Sequence, residues 1–451
     1  MMQTSGNVRR DFGLKRRFST TLRFGSGRIG VCLFSGAILL FLCSYVSGAT
    51  IGGRFTTSLY SWERQGADGD GTGHLRAAQA AMLYLDRAGA PGLSFHTYVY
   101  LYGDVRAEEQ DDPRLKVYHT YVDWKRAVGA LDVRFGRQLV YEGVGHGTID
   151  GLWLGYDFGD LLQIAGYAGS LPSLEASNGL QSWSDGHMIG ATLRIRRIYG
   201  TTVRVSFVRK ARQPVAYQSH YSGKTIENSA LQQQWVGIDL RRRFGRVVDL
   251  FGRLDIDTMF EKIRRAELIA RYTMSPSLRL TGEFIHRVPT IDLNSIFSVF
   301  AQETNQQVRL SGTYRINKQV SVFSGVEHVL YDGDTATRVR IGVFFRGNTI
   351  AYSRGMGYMG ARDGVSGGLR YPVGDKLWIK ANAQFAQVAL FDGAEDKDEV
   401  VTASMGVNYR PTRGTSFDLE GQSVQNKVYK RDFRIFFRGS VWFFKGERKK
   451  R

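Results

Sequence analysis

Stretches of about ten residues in which apolar and polar side chains alternate recur along this 451-residue chain. They constrain its fold more than any other feature. In Thr201–Lys210, Val203, Val205 and Phe207 fall on one face, and Thr202, Arg204, Ser206 and Lys210 on the other. Gln307–Ile316 sets Val308, Leu310, Tyr314 and Ile316 against Gln307, Arg309, Ser311, Thr313 and Arg315. Arg338–Arg346 and Val401–Arg410 repeat the pattern. A period of two marks a strand. Ordinary strands run ~5–6 residues, whereas about ten residues are needed for a tilted strand to cross a hydrocarbon layer. A soluble sandwich would need shorter strands and a face buried under a second sheet. One wall suited to lipid and one suited to water predict a barrel in a membrane. Only a closed barrel satisfies every backbone polar group of a sheet there.

The connections carry an independent signal. Short turns such as Ala88–Gly92, Ile198–Gly200, Asn317–Lys318 and Pro411–Gly414 alternate with longer polar stretches such as Gly103–Pro113, Ser170–His187 and Arg287–Asn305. Short periplasmic turns and long outer loops are the pattern of outer-membrane barrels, which in bacterial single chains have an even strand number. The predicted fold class is all-β, a transmembrane antiparallel up-and-down β-barrel of about 22 strands (18–22). Both chain ends are on the periplasmic side. The signal is weakest over Gly136–Asp150, Thr258–Arg264 and Met356–Gly368.

Composition excludes other classes. With 53 Gly, 22 Tyr and 27 Phe the chain has too much apolar surface to be disordered and too much glycine for a helical enzyme. Cys32 and Cys43 both lie in one apolar stretch, Ile29–Val46, which leaves no disulfide framework and no cysteine-ligated metal. That stretch follows a basic segment with seven Lys and Arg against Asp11, and precedes Ser47-Gly48-Ala49. This is the build of a cleaved signal peptide; a single transmembrane anchor is the alternative. The predicted organisation is residues 1–49 as signal, 50–444 as barrel and 445–451 as a basic periplasmic tail. The tail reads as a solvated end or as a ligand for anionic lipid or an acidic partner.

Two local stretches resemble known proteins. Val133–Leu152, with Phe135-Gly136-Arg137-Gln138 and then Gly143 through Asp150-Gly151-Leu152, resembles Gram-negative outer-membrane porins, both general and alginate-export-type. The resemblance implies a loop at about Gln138–Ile149 that either folds inward and narrows the pore or is an ordinary outer loop. Gly439, Trp442 and Phe444 in the last strand resemble the closing-strand signal read by barrel-assembly machinery, although the tail Lys445–Arg451 departs from it.

If the polar faces point inward, the lumen carries Arg134, Arg194, Arg196, Arg204, Arg253, Arg271, Arg279, Arg309, Arg315, Arg338, Arg340, Lys380, Arg434 and Arg438. The acids on those faces are Asp132, Asp249, Asp255, Glu267, Glu283, Asp418 and Glu420, about half as many. Such a wall favours anions. Cross-strand ladders, with Glu267 and Arg271 or Asp255 and Arg253 as partners, are the alternative. The net charge of +19 includes six from residues 1–49, leaving +13. The bases are spread along strands and do not cluster with stacking aromatics, so nucleic acid is not expected as a partner. Tyr98, Tyr100, Tyr121, Trp153, Trp235, Tyr272, Tyr314, Trp378 and Tyr409 are candidates for lipid-interface girdles, with several of them alternatively facing inward.

No enzyme motif is present: there is no Gly-x-Ser-x-Gly and no His-Glu-x-x-His. His146 and His286 read as structural. Ala67–Gly71 has the aspartate spacing of a calcium loop without its terminal glutamate, and reads as an acidic loop. No cofactor is predicted, and without Cys-x-x-Cys-His the chain holds no covalent haem. The predicted function is a porin passing small polar, anionic solutes. The alternative is a sleeve around a periplasmic or lumen-threaded partner such as a multihaem cytochrome. Outer-membrane lipid and the barrel-assembly machinery complete the expected partners.

Overall fold

The computed structural model describes residues 49–65, 71–106, 114–173, 179–213, 216–218, 225–227, 231–289, 304–358, 360–389, 397–427 and 432–445. The expected signal (1–49, apart from its last residue), the acidic stretch 66–70 and tail residues 446–451 lie outside them. The strands run β1 (Thr50–Gln65), β2 (Gly71–Asp86), β3 (Leu93–Asp104), β4 (Arg114–Val128), β5 (Leu131–Glu142), β6 (Gly145–Phe158), β7 (Leu162–Ser170) and β8 (Gly186–Ile198). They continue with β9 (Thr201–Arg212), β10 (Ala216–Gln218), β11 (Thr225–Glu227), β12 (Leu231–Phe244), β13 (Val248–Asp257), β14 (Lys262–Thr273), β15 (Leu278–Arg287) and β16 (Asn305–Arg315). The last are β17 (Val320–Leu330), β18 (Thr335–Phe345), β19 (Asn348–Gly357), β20 (Arg362–Val373), β21 (Leu377–Ala389), β22 (Lys397–Thr412), β23 (Thr415–Gln425) and β24 (Asp432–Lys445).

Twenty-two of these strands form one antiparallel sheet in which each pairs with its neighbour in sequence, β10 and β11 forming a separate hairpin within the connection from β9 to β12. The sheet closes because β1 pairs with β24, from Ile51 opposite Lys445 to Trp62 opposite Arg434. Closure leaves no edge strand, so the backbone donors and acceptors of the wall are consumed within it. The predicted fold class is the one observed.

At the end of the barrel that carries both ends of the wall, connections are two to six residues long. Tight turns there use glycine in the left-handed region, as at Gly159 (φ 62°) and Gly347 (φ 84°). The long connections lie at the opposite, outer end. The three stretches with weak sequence signal are strands joined at that outer end by 143–144, 258–261 and 358–361.

Alternation sorts the side chains by face. On β16, Val308, Leu310 and Tyr314 are exposed on the outside, while Arg309, Ser311 and Thr313 pair in register with Glu283, Thr281 and Arg279 inside. On β18, Val339, Ile341 and Val343 are outside and Arg338 and Arg340 inside. Met405 and Leu419 extend the same apolar belt on β22 and β23. These side chains have no protein neighbour to cover them, and lipid is the solvent that makes their exposure favourable.

The faces make a direct stability prediction. Leu310→Arg, at the middle of an outer face, is expected to cost about 2–4 kcal/mol, and Ser311→Arg, one residue along and facing inward, under about 1 kcal/mol. Denaturant titration of each variant refolded into lipid vesicles measures the difference. Equal costs would show that the two faces are wrongly assigned.

Candidate functional site: the inner wall and its hairpin

The porin-like stretch Val133–Leu152 is neither an irregular loop nor a plain part of the wall. Its residues form β5 and β6, joined by Gly143 and Val144 alone. Pairing of β5 with β4 stops at Arg137 opposite Thr120, and pairing of β6 with β7 stops at Asp150 opposite Ser170. Beyond those points the hairpin leaves the wall. Gly136 sits at the departure with φ 119°, and a Cβ there would meet the Thr120 carbonyl oxygen at 2.5 Å, so glycine alone fits. Arg137 next to it makes a bidentate pair with Asp150: Nε donates to Oδ1 at 2.6 Å and Nη2 to Oδ2 at 2.7 Å. Both side chains are 6% exposed, and Arg137 also donates to the Gly179 carbonyl at 2.9 Å. Gln138 is fully buried and donates to the carbonyls of Arg134 and Gly151.

The tip folds inward across the inner faces of β7, β8, β9, β12 and β13. The Val144 amide donates to Ser206 Oγ at 3.1 Å, and Arg253 donates to the Gly143 carbonyl at 3.3 Å. Gly237 lies under Val144 and Gly145 abuts the Tyr167 hydroxyl, with no room for a side chain at either glycine. Val140, Val144 and Ile149 join Trp153, Tyr167, Leu171, Met188, Val208 and Trp235 in the buried apolar cluster of the protein. The hydrophobic core is therefore inside the barrel and off-centre, between one hairpin and one arc of wall. His146 lies beside the Trp235 ring at 6.3 Å. Among the described residues no cluster of side chains suits a metal ion.

By register, the fourteen basic residues singled out from the sequence fall on the inner face. Ten of them have a carboxylate within 4.0 Å. Arg204 faces Asp239 (3.7 Å), Arg309 bridges Glu283 (3.2 Å) and Glu327 (2.6 Å), and Arg196 faces Asp157 (3.6 Å). Arg134, Arg194, Arg253, Arg271, Arg338, Arg434 and Arg438 are paired in the same way. Asp255 and Arg253, two residues apart on β13, pair at 2.9 Å as expected, but Glu267 takes Arg265 (2.5 Å), two residues back on β14, and Arg271 reaches Asp249 (4.0 Å), its cross-strand neighbour. Arg279, Arg315, Arg340 and Lys380 have no carboxylate within that distance among the described residues. Arg279, Arg315 and Lys380 stand at or within three residues of the short-turn end of their strands.

The aromatic residues require a correction. Tyr272, Tyr314 and Tyr409 are exposed on the outer face. Tyr98, Tyr100, Tyr121, Trp153, Trp235 and Trp378 share the inner face with charged groups: Trp235 donates to Asp257 and Arg410 lies over Trp378. On β3 the outer face is Phe95, Val99 and Leu101, and the inner face is His96, Tyr98, Tyr100 and Tyr102. Tyrosine is amphipathic and suits a lipid-interface girdle as well as a wet lumen, so the sequence hides which face it takes.

Those inner rings touch in a row. Centroids are 5.3 Å apart from Tyr102 to Tyr100, 6.3 Å from Tyr100 to Tyr118 and 4.8 Å from Tyr118 to Tyr98. The row goes on through His119 (5.8 Å) and Tyr121 (5.5 Å) to His96 (5.0 Å). At its outer end Trp62 stacks on Tyr60 and His74. Cations stand over the rings: Arg76 over Trp62 and Tyr102, Lys116 over Tyr118, Arg134 over Tyr121 and Trp153. In β24, Gly439 shares the outward face with Phe437, Val441 and Phe443, whereas Trp442 and Phe444 fall on the opposite face.

No protein-family model and no curated protein matches the chain. Solved structures do. The ferric enterobactin receptor PfeA of Pseudomonas aeruginosa superimposes with a TM-score of 0.53 at 9% identity, over 88% of this chain and 81% of that one. The translocation pore of the P pilus usher PapC gives 0.47 at 8% identity, over 87% and 99%. OccAB4 of Acinetobacter baumannii gives 0.43 at 11% identity, over 89% and 99%. At these identities the likeness concerns fold. The chain has the fold of an outer-membrane-type β-barrel, a closed antiparallel sheet of 22 strands.

Two outcomes are expected at the hairpin. Arg137→Ala strands a buried Asp150 and lowers stability by about 3–5 kcal/mol, while Arg137→Met with Asp150→Leu recovers most of the loss; urea titration in detergent micelles compares them. Gly237→Leu displaces Val144, pushes the tip off the wall toward the lumen axis and lowers single-channel conductance. An unchanged conductance would mean that the tip does not narrow the passage.

Proposed function

We propose that this protein is an outer-membrane channel for small polar solutes with a preference for anions. The balance of charges left over on the inner face carries the reading. Four of the fourteen bases are without a carboxylate partner among the described residues. Of the seven acids singled out with them, Glu420 alone has no cation within 4.0 Å among the described residues, and it accepts from Gln422. Paired charges satisfy one another across strands and project little field. The surplus cations are concentrated toward the short-turn end, where low-dielectric walls focus their field on passing anions. The inward hairpin supports the reading further, since it occupies part of a lumen that a barrel of this size would otherwise leave wide.

A second reading draws on the same width. One hairpin leaves most of a 22-strand lumen open to a partner protein. Planar-bilayer recording of the purified chain in a KCl gradient separates the two. The channel reading expects conductance and a reversal potential of anion-selective sign. Replacing Arg279, Arg315, Arg340 and Lys380 together by Gln is expected to bring the potential close to zero with little change in conductance. A cation-selective sign in the unaltered protein refutes the charge argument. Silence in the bilayer favours the sleeve.

A further inference from the structure

The arc β1–β4 has an inner surface unlike the rest of the wall, and the charge balance does not use it. The surface is a row of rings with polar groups at its margin. Along β3 the row from Tyr102 to His96 covers ~20 Å at about 3.3 Å per residue. Rings alone would suit any flat apolar solute. The margin narrows the choice, because it carries both donors and acceptors. Arg76 and Lys116 offer donors, Asp123 offers an acceptor, and the tyrosine hydroxyls offer both. An anion passing along this arc would find its cations already held over rings, with Asp123 beside them. An apolar solute would strip water from charged groups without replacing it.

We propose that the inner face of β1–β4 is a binding track for a linear, neutral oligosaccharide. This rests on the channel reading but not on its anion preference. Each pyranose presents a C–H face to a ring and a rim of hydroxyls that both donate and accept. No single-sign solute has that combination. The length of the row suits several sugar units in line, and a monosaccharide covers only part of it. The surface is also held in advance. Arg76 lies 5.4 Å from the Trp62 centroid and 5.7 Å from that of Tyr102, so its guanidinium is positioned by both rings before a solute arrives. Repetition of similar contacts along the row lets a chain advance unit by unit, because no one site holds it too tightly to leave.

The test uses the α-1,4-linked glucose hexamer and its β-1,4-linked counterpart as probes of the purified full chain in a planar bilayer. At least one hexamer is expected to block the ion current at a concentration tenfold or more below that for glucose. Tyr100→Ala combined with Tyr118→Ala is expected to raise the half-blocking concentration at least tenfold, while KCl conductance stays within a factor of two and so reports an intact barrel. Absence of block by both hexamers in a conducting protein overturns the proposal. Block that the double variant leaves unchanged also overturns it, as does a uronate hexamer that binds tenfold better than either neutral one. If the protein does not conduct, the channel reading fails separately. Calorimetric titration of the hexamers into the detergent-solubilised barrel then decides the track: binding lost in the double variant supports it, and no binding overturns it.

Discussion

A backbone amide or carbonyl placed in hydrocarbon has no water to turn to, and this requirement governs the rest of the molecule. A sheet meets it only by having no edge. The pairing of β1 with β24 is therefore the contact on which the others depend. Once the sheet is closed, outward side chains are free to be apolar without packing on anything. Inward ones must be polar or be covered. Twenty-two strands enclose more space than side chains can fill, and the protein fills part of it with its own wall.

The β5–β6 hairpin shows what leaving the sheet requires. Its outer part gives up the ladder with β4, and a glycine at φ 119° makes the turn inward sterically accessible. Arg137 and Asp150, level with each other at the point of departure, hold the two strands of the hairpin together where neighbours no longer do. The tip then covers apolar side chains on the inner wall that would otherwise face water. Fold and passage are coupled through these few residues, since the contacts that bury the core also set how far the tip projects.

Around the circumference the inner wall divides into arcs of different chemistry. β1–β4 carry stacked rings with cations above them, β7–β13 carry the hairpin and its apolar bed, and β14–β21 carry ion-pair ladders with the surplus cations among them. A barrel with such arcs presents different surfaces to different solutes. That is the physical basis on which we propose for one lumen both a charge preference and a track for neutral chains.

Local pattern alone was enough to predict the barrel. The alternation in Gln307–Ile316 and Arg338–Arg346 assigns each residue to a face, the short turns assign each strand to an end, and both follow from backbone geometry that does not depend on distant parts of the chain. Gly136, Arg137 and Asp150 were visible as a motif, but a motif read along one strand does not say that pairing with β4 stops there. The ion-pair partners were only partly legible: Glu267 takes Arg265, two residues back on its own strand, while Arg271 is set opposite Asp249 by the register between β13 and β14, which no single strand reveals. The inner aromatic row was hidden for two reasons. Tyrosine is amphipathic and fits a lipid interface as well as a wet lumen, and a bulge opposite Tyr98 and Val99 brings Tyr118 onto the face of its neighbour His119. The sequence by itself determined a closed wall with one face for lipid, because a period of two is a local property. Only the tertiary structure decided what lies inside, because that depends on which strands are neighbours, in what register, and where one hairpin leaves them.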